Sequence, residues 1–183
     1  MFSITDLPGL MVYEPKVHGD TRGYFFESYS EQVFAKQGID IRFVQDNQSH
    51  SSYGVIRGLH YQLLPHAQTK LVRVLTGRIY DVAVDIRKGS RTYGRHFGIE
   101  LSAENKKQLL VPQGFAHGFS VLSDVAEIAY KCDAFYHKES EAGIRFDDPA
   151  LGIDWGVPLE SANVSDKDKV LPLLKDCVTN FTF

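Results

Sequence analysis

Short runs in which apolar and polar side chains alternate make up most of the chain, and glycine, proline or polar clusters separate them. Alternation with a period of two is the signature of half-buried β-strands. It predicts strands over residues 9–15, 23–29, 41–51, 55–62, 70–77, 78–87, 96–101, 107–112, 117–123 and 126–136. Helical periodicity is scarce. The segment "SEQVFAKQG" predicts one helix, with Ser30 as its cap and Gly38 as its stop. After Tyr136 the pattern loses regularity, and only "SDKDKVLPLL" suggests a further short helix, with Ser165 as cap and Asp168 at its third position. There are no repeats, low-complexity segments or linkers. Closely spaced strands of this kind predict one all-β domain over 1–183, a sandwich or barrel.

Two strands show how the pattern reaches beyond fold. In "GRIYDVAVDIR" one face carries Tyr80, Val82, Val84 and Ile86, and the other carries Ile79, Asp81, Ala83 and Asp85. The first face is expected in the core and the second against water or a polar cavity, as in a barrel that holds a ligand. In "VIRGLHYQ" an arginine and a histidine flank a glycine inside a strand that is otherwise core-like. Arg57 and His60 are three residues apart, so strict alternation would send them to opposite faces.

Composition narrows the function. The 183 residues are 43% hydrophobic, enough for one core. The formal net charge of -3 leaves no global basic field for nucleic acid or an anionic membrane. No apolar run has the length of a membrane span, and "MFSITDLPGL" lacks the layout of a signal peptide. A soluble cytoplasmic protein is expected. Cys132 and Cys177 have no metal-finger or CxxC spacing and are expected as reduced thiols.

Polar residues set among apolar strand residues supply the candidate chemistry. Pro112-x-Gly114-x-x-His117 has the shape of the second cupin motif, whose histidine binds metal in metal cupins. The matching earlier element, "LHYQ", offers His60 and then Gln62 in place of a second histidine. A metal site needs about three converging protein ligands, and no third is evident. Arg22, Glu27, Gln45, Asp46, Asn47, Lys70, Tyr130 and Lys131 are each costly to bury without a partner. As a set, with the histidines, they suit an anionic, oxygen-rich ligand.

The chain resembles the dTDP-4-dehydrorhamnose 3,5-epimerase family, cupin-fold enzymes acting on a nucleotide sugar. The resemblance runs in order through "EPKVHGDTRGYFFESY", "FVQDNQSHSSYGVIRGLHYQ", "AQTKLVRV", "GRIYDVAVDIRKGSRTYG", "LSAENKKQLLVPQGFAHGF", "AEIAYKCDAFY", "GIRFDDPALGIDW" and "SDKDKVLPLL". It implies a double-stranded β-helix (jelly roll), a homodimer, no metal or organic cofactor, and a dTDP-sugar substrate. The reaction it implies inverts carbons 3 and 5 of dTDP-4-keto-6-deoxy-D-glucose, giving dTDP-4-keto-6-deoxy-L-mannose.

Both reacting carbons flank a ketone, so loss of either proton gives an enolate. Such a reaction needs a base on one face, an acid on the other and a cation at the keto oxygen. The resemblance assigns His60 as base, Asp168 as the carboxylate that orients it, Tyr130 as acid and Lys70 as cation. It assigns substrate contacts to Arg57, His117, Gln45, Asp46, Asn47, Glu141 and Lys167, and to Arg22 and Glu27 from the partner subunit. Asp81 is added as a pocket residue near the base, with Gln62, Phe135 and Tyr136 as further possible pocket residues. Phe135 stands where many members have tyrosine, and His96 where tryptophan is frequent.

Asp168 has a second reading, as an ordinary cap residue of a short helix. Two other functions also remain: a single-site epimerase or keto-isomerase on the same fold, and a metal-dependent or non-catalytic cupin. One geometric expectation follows. For Arg57 and His60 to share a pocket, the strand must break alternation between them, and Gly58 is where a bulge is easiest.

Overall fold

The computed structural model describes all 183 residues, and β-strands dominate it. The first strands are β1 (Phe2–Ile4), β2 (Met11–Tyr13), β3 (His18–Asp20) and β4 (Gly23–Phe25), followed by helix α1 (Glu31–Ala35). Next come β5 (Gln45–Ser52), β6 (Val55–Gln62), β7 (Lys70–Thr76), β8 (Arg78–Asp85) and β9 (His96–Ser102). The last are β10 (Gln108–Val111), β11 (Phe115–Val121), β12 (Val125–Cys132), β13 (Glu141–Gly143) and β14 (Asn163–Val164), with helix α2 (Asp166–Lys169) closing the set.

Two sheets face each other. The first runs β1-β2-β10-β7-β12-β5, and the second runs β13-β6-β11-β8-β9 with β14 added in parallel to β6. Strands distant in sequence lie side by side, as β12 does between β7 and β5, which is the jelly-roll arrangement. β3 and β4 form a separate hairpin, with Tyr24 and Phe25 exposed. No helix is long and apolar enough to cross a membrane.

Alternation sorts the side chains into layers. Val72, Val74, Ile79, Ala83, Leu109, Phe119 and Ile128 meet between the sheets. Ile56, Leu59, Tyr61, Val82, Val84 and Ile86 point the other way and pack under the C-terminal segment through Trp155 and Phe181. This corrects the expectation for β8. The face with Ile79 and Ala83 is not turned to water; it lies between the two sheets in the main core, while the irregular tail covers the opposite face. Asp85 on that face is buried but satisfied by Arg87, Ser90 and Thr92.

Other elements differ in detail. The strand drawn over 23–29 is only Gly23–Phe25, and the one drawn over 41–51 begins at Gln45. The Ser30 side chain makes no cap hydrogen bond, whereas Ser165 Oγ does accept from the Asp168 N–H at 3.1 Å. Gly38 ends the first helix with φ +76°.

The β6 strand is where the site is set. Across its border with β11, His117 pairs with His60 and Phe119 pairs with Arg57. Two steps on one strand therefore face three on the other, which is a bulge at Gly58. The Gly58–Leu59 peptide is cis, and Gly58 has φ +123°. The extra residue resets parity: Ile56, Leu59 and Tyr61 point into the outer core, while Arg57 and His60 share the inner side. A Cβ at Gly58 would stand 2.6 Å from the Gly118 Cα and 2.8 Å from the His117 carbonyl oxygen. Gly58→Ala is expected to destabilise the protein by about 2 kcal/mol or more, from positive φ and overpacking together. Urea unfolding of the variant checks this; a midpoint equal to that of the parent would show that the bulge tolerates a side chain.

Candidate active site

A cleft of about 440 Å³ opens between the two sheets, where core residues give way to polar ones on the same inner faces. The second sheet contributes Arg57 and His60 from β6 and His117 from β11, and the first contributes Lys70 from β7 and Tyr130 from β12. A second lobe of about 300 Å³ shares His60, Lys70 and Tyr130 and adds Gln45, Asn47, Gln62, Tyr136 and Glu141. Parity explains the set: Lys70 shares the inward side of its strand with Val72 and Val74, and Tyr130 shares that of its strand with Ile128.

His60 and Asp168 form the central pair, with Nε2 and Oδ1 at 2.7 Å. Asp168 is buried, and its other oxygen accepts from the Gly58 N–H at 3.3 Å. Burial alone would raise this carboxyl, but the hydrogen bonds from His60, Gly58 and Ser165 and the attraction of His60 outweigh it and hold it below the ordinary carboxylate range. An ionised carboxylate only accepts, so the proton between the two belongs to His60 Nε2; in the neutral form of the ring the lone pair is then on Nδ1. The helix cap and the histidine contact use different parts of Asp168. Its backbone N–H takes the helix cap, and its side chain takes the histidine.

Facing this pair, burial keeps the Tyr130 phenol above its ordinary value, with Cys132 adding to the effect and Arg57 opposing it. The phenol is therefore protonated near neutral pH. Burial pushes the Lys70 ammonium down, against the attraction of Cys132, Asp81 and Glu141. Its Nζ lies 6.0 Å from the centroid of the Tyr130 ring. Arg57 is steadied by Ser51 Oγ at 3.1 Å. An imidazole with a carboxylate behind it, an opposed phenol and a desolvated ammonium can move protons at carbons beside a carbonyl and stabilise the enolate between.

The family model described as dTDP-4-dehydrorhamnose 3,5-epimerase matches residues 4–176. The chain belongs to the dTDP-4-dehydrorhamnose 3,5-epimerase family. A relative of that name from Shigella flexneri is 54% identical over 90% of each chain. The solved dTDP-4-dehydrorhamnose 3,5-epimerase of Elizabethkingia anophelis NUHP1 superposes with TM-score 0.93 at 52% identity, covering 96% of this chain and 97% of its own. A dTDP-6-deoxy-D-glucose-3,5-epimerase from Legionella pneumophila, solved in complex with dTDP-4-keto-L-rhamnose, gives 0.92 at 50% identity, covering 96% and 93%. The jelly roll of this epimerase family member is thus of the cupin type.

Not every expected residue reaches the cleft. Gln45 and Asn47 do, and Gln45 Nε2 donates to Asn47 Oδ1 at 2.9 Å. Asp46 sits between them on the strand and so points outward, where Lys131 holds it at 3.0 Å. Glu141 and Lys167 meet each other at 2.6 Å on the rim, and the Tyr136 hydroxyl donates to Glu141 at 3.0 Å. Gln62 borders the second lobe, but its amide is taken up by backbone, donating to the His66 carbonyl at 2.6 Å and accepting from the His137 N–H at 2.7 Å. No group of three or more histidines, cysteines or carboxylates is placed to hold a metal. Phe135 borders neither lobe and is 69% exposed. Asp81 is wholly buried behind His117 and is not part of the cleft wall. Arg22, paired with Asp20 in the β3–β4 hairpin, and Glu27 border neither lobe of their own chain.

The epimerase cleft also includes Ser49, Asn163 and Ser165, which sequence reasoning missed. Ser49 was within reach, since it continues the parity of Gln45 and Asn47. The other two come from the irregular tail, where no periodicity marks them.

The His60–Asp168 pair makes a prediction about pH. The Asp168 carboxyl is lower in the folded protein than in the unfolded chain, so its stabilisation is complete above the ordinary carboxylate range and is lost as pH falls through the folded value. Asp168→Asn is expected to cost about 1–3 kcal/mol near neutral pH. The gap between the thermal midpoints of the two proteins should close on acidification toward pH 3; a gap independent of pH would mean that the pair does not stabilise the fold through its charge.

Proposed function

We propose that residues 1–183 act as one cupin-type epimerase domain that converts dTDP-4-keto-6-deoxy-D-glucose to dTDP-4-keto-6-deoxy-L-mannose, with His60 as base and Tyr130 as acid. The observation that carries this reading is the 2.7 Å His60–Asp168 pair on one sheet side of a cleft whose other side presents Tyr130 and Lys70. His60 takes the proton from a carbon beside the ketone through its free ring nitrogen, and Asp168 stabilises the imidazolium that forms. Lys70 offsets the charge that develops on the keto oxygen. Tyr130 returns a proton from the opposite wall, and inversion follows because removal and return occur on opposite faces. The same two faces serve both carbons.

Arg57 and His117, with Gln45 and Asn47, contact the sugar and diphosphate in this scheme. Glu141 and Lys167, paired on the rim, border the path of the nucleotide. Arg22 and Glu27 belong to the site of a second copy: they lie away from their own cleft, on and beside a hairpin that leaves Tyr24 and Phe25 uncovered. A homodimer completes each site in this way. The two free thiols and a nucleotide-sugar substrate fit the cytoplasm.

The test is turnover of dTDP-4-keto-6-deoxy-D-glucose in deuterium oxide, read by NMR. Label at both carbon 3 and carbon 5 is expected; label at a single carbon would make this a single-site epimerase. His60→Ala and Tyr130→Phe should abolish product, and Lys70→Met should lower kcat about a hundredfold or more with little change in dTDP affinity. Normal turnover by Tyr130→Phe would place the acid elsewhere. Activity lost to a chelator and restored by a divalent ion would point to a metal cupin instead.

A further inference from the structure

Two histidine–carboxylate pairs, side by side, serve the cleft. His60 and His117 are direct partners across the β6–β11 border. His117 Nε2 lies 2.8 Å from Asp81 Oδ1, the counterpart of the His60–Asp168 contact. The settings differ. The His60 side chain is 30% exposed, whereas those of His117 and Asp81 are 9% and 0% exposed. Asp81 is sealed behind the cleft wall, and His117 stands between it and the cleft.

Asp81 is unusual in a further respect. Its Oδ2 is buried and has no hydrogen-bond partner, alone among the buried side-chain oxygens and nitrogens of the protein. A bare buried carboxylate oxygen is costly, and such exceptions in folded proteins call for an explanation. The nearby charge of Lys70 offsets part of the cost, since Asp81 is one of the groups that favour its ammonium form. Packing needs no carboxylate here, because its strand neighbours on that face, Ile79 and Ala83, fill the core as hydrocarbon.

We propose that Asp81 is a positioning residue for the epimerisation, fixing His117 with its Nε2 proton on the carboxylate and leaving Nδ1 as the one ring nitrogen available to the substrate. This rests on the catalytic reading above. A carboxylate accepts and does not donate, so it selects that proton position and orients the ring. A negative charge behind the ring also strengthens Nδ1 as a hydrogen-bond acceptor, as carboxylates do for histidines in metal sites. His117 thereby holds a substrate hydroxyl in one orientation while His60, its neighbour, exchanges protons. Without Asp81 the ring is free to flip or to change tautomer, and the substrate binds with the reacting carbon out of line.

Asp81→Asn removes the charge and keeps the shape. Its kcat for deuterium incorporation is expected to fall at least tenfold, more than its affinity for dTDP falls, with a thermal midpoint close to that of the parent. The double variant Asp81→Asn/His117→Gln should be no slower than His117→Gln alone, as for two residues acting in one chain of contacts. Nitrogen-15 NMR of labelled histidine in the unmodified protein should show a proton on His117 Nε2, a readout that does not require any variant to fold. A neutral His117 with its proton on Nδ1, an Asp81→Asn enzyme as fast as the parent, or losses that multiply in the double variant would overturn the proposal. Absence of exchange in the parent protein would instead count against the catalytic reading itself.

Discussion

One extra residue in β6 organises the site. Gly58 inserts into the strand without a matching residue in β11, and the strand changes parity at that point. Before it, Arg57 faces inward; after it, His60 does too, while Ile56, Leu59 and Tyr61 keep the outer core filled. A regular strand could not place a guanidinium and an imidazole three residues apart on one face without turning its apolar residues out of the core. The bulge also leaves the Gly58 N–H free to donate to Asp168, so the same irregularity that aims His60 helps to hold its partner.

Around that bulge the polar groups are arranged in compensating pairs. Removing a carboxylate or an ammonium from water is expensive unless an opposite charge or several hydrogen bonds replace the water. Asp168 meets His60, Gly58 and the α2 cap; Asp81 meets His117; Asp85, away from the cleft, meets Arg87, Ser90 and Thr92. Lys70 is the exception that matters for chemistry. It has neither an ion pair nor a hydrogen bond of its own, and it stands on the cleft wall close to the phenol of Tyr130. A desolvated cation without a fixed partner is suited to a charge that appears only during reaction.

The rim is organised differently. Glu141, Lys167 and Tyr136 bond to one another in the free chain, with Lys167 more than half exposed. These contacts are accessible to solvent and cheap to exchange for a ligand. The division fits a nucleotide sugar, whose reacting ring needs a dry, rigid floor and whose nucleotide is held by groups nearer water.

Most strand positions are legible along the chain, because alternation is a local property of the backbone, and the family is legible through its ordered motifs. From the sequence came the expectation of a bulge at Gly58, and parity alone would have separated Asp46 from Gln45 and Asn47. Tertiary structure decided what alternation cannot. It covered the outer face of the second sheet with an irregular tail anchored by Trp155 and Phe181, so that both faces of β8 became core. It brought Asp168 from the far end of the chain to His60, and it buried Asp81 behind His117 instead of in the pocket wall near the base. Local pattern reports which way a side chain points; what it meets there depends on contacts between residues tens of positions apart, and those form only when the sheets close on each other.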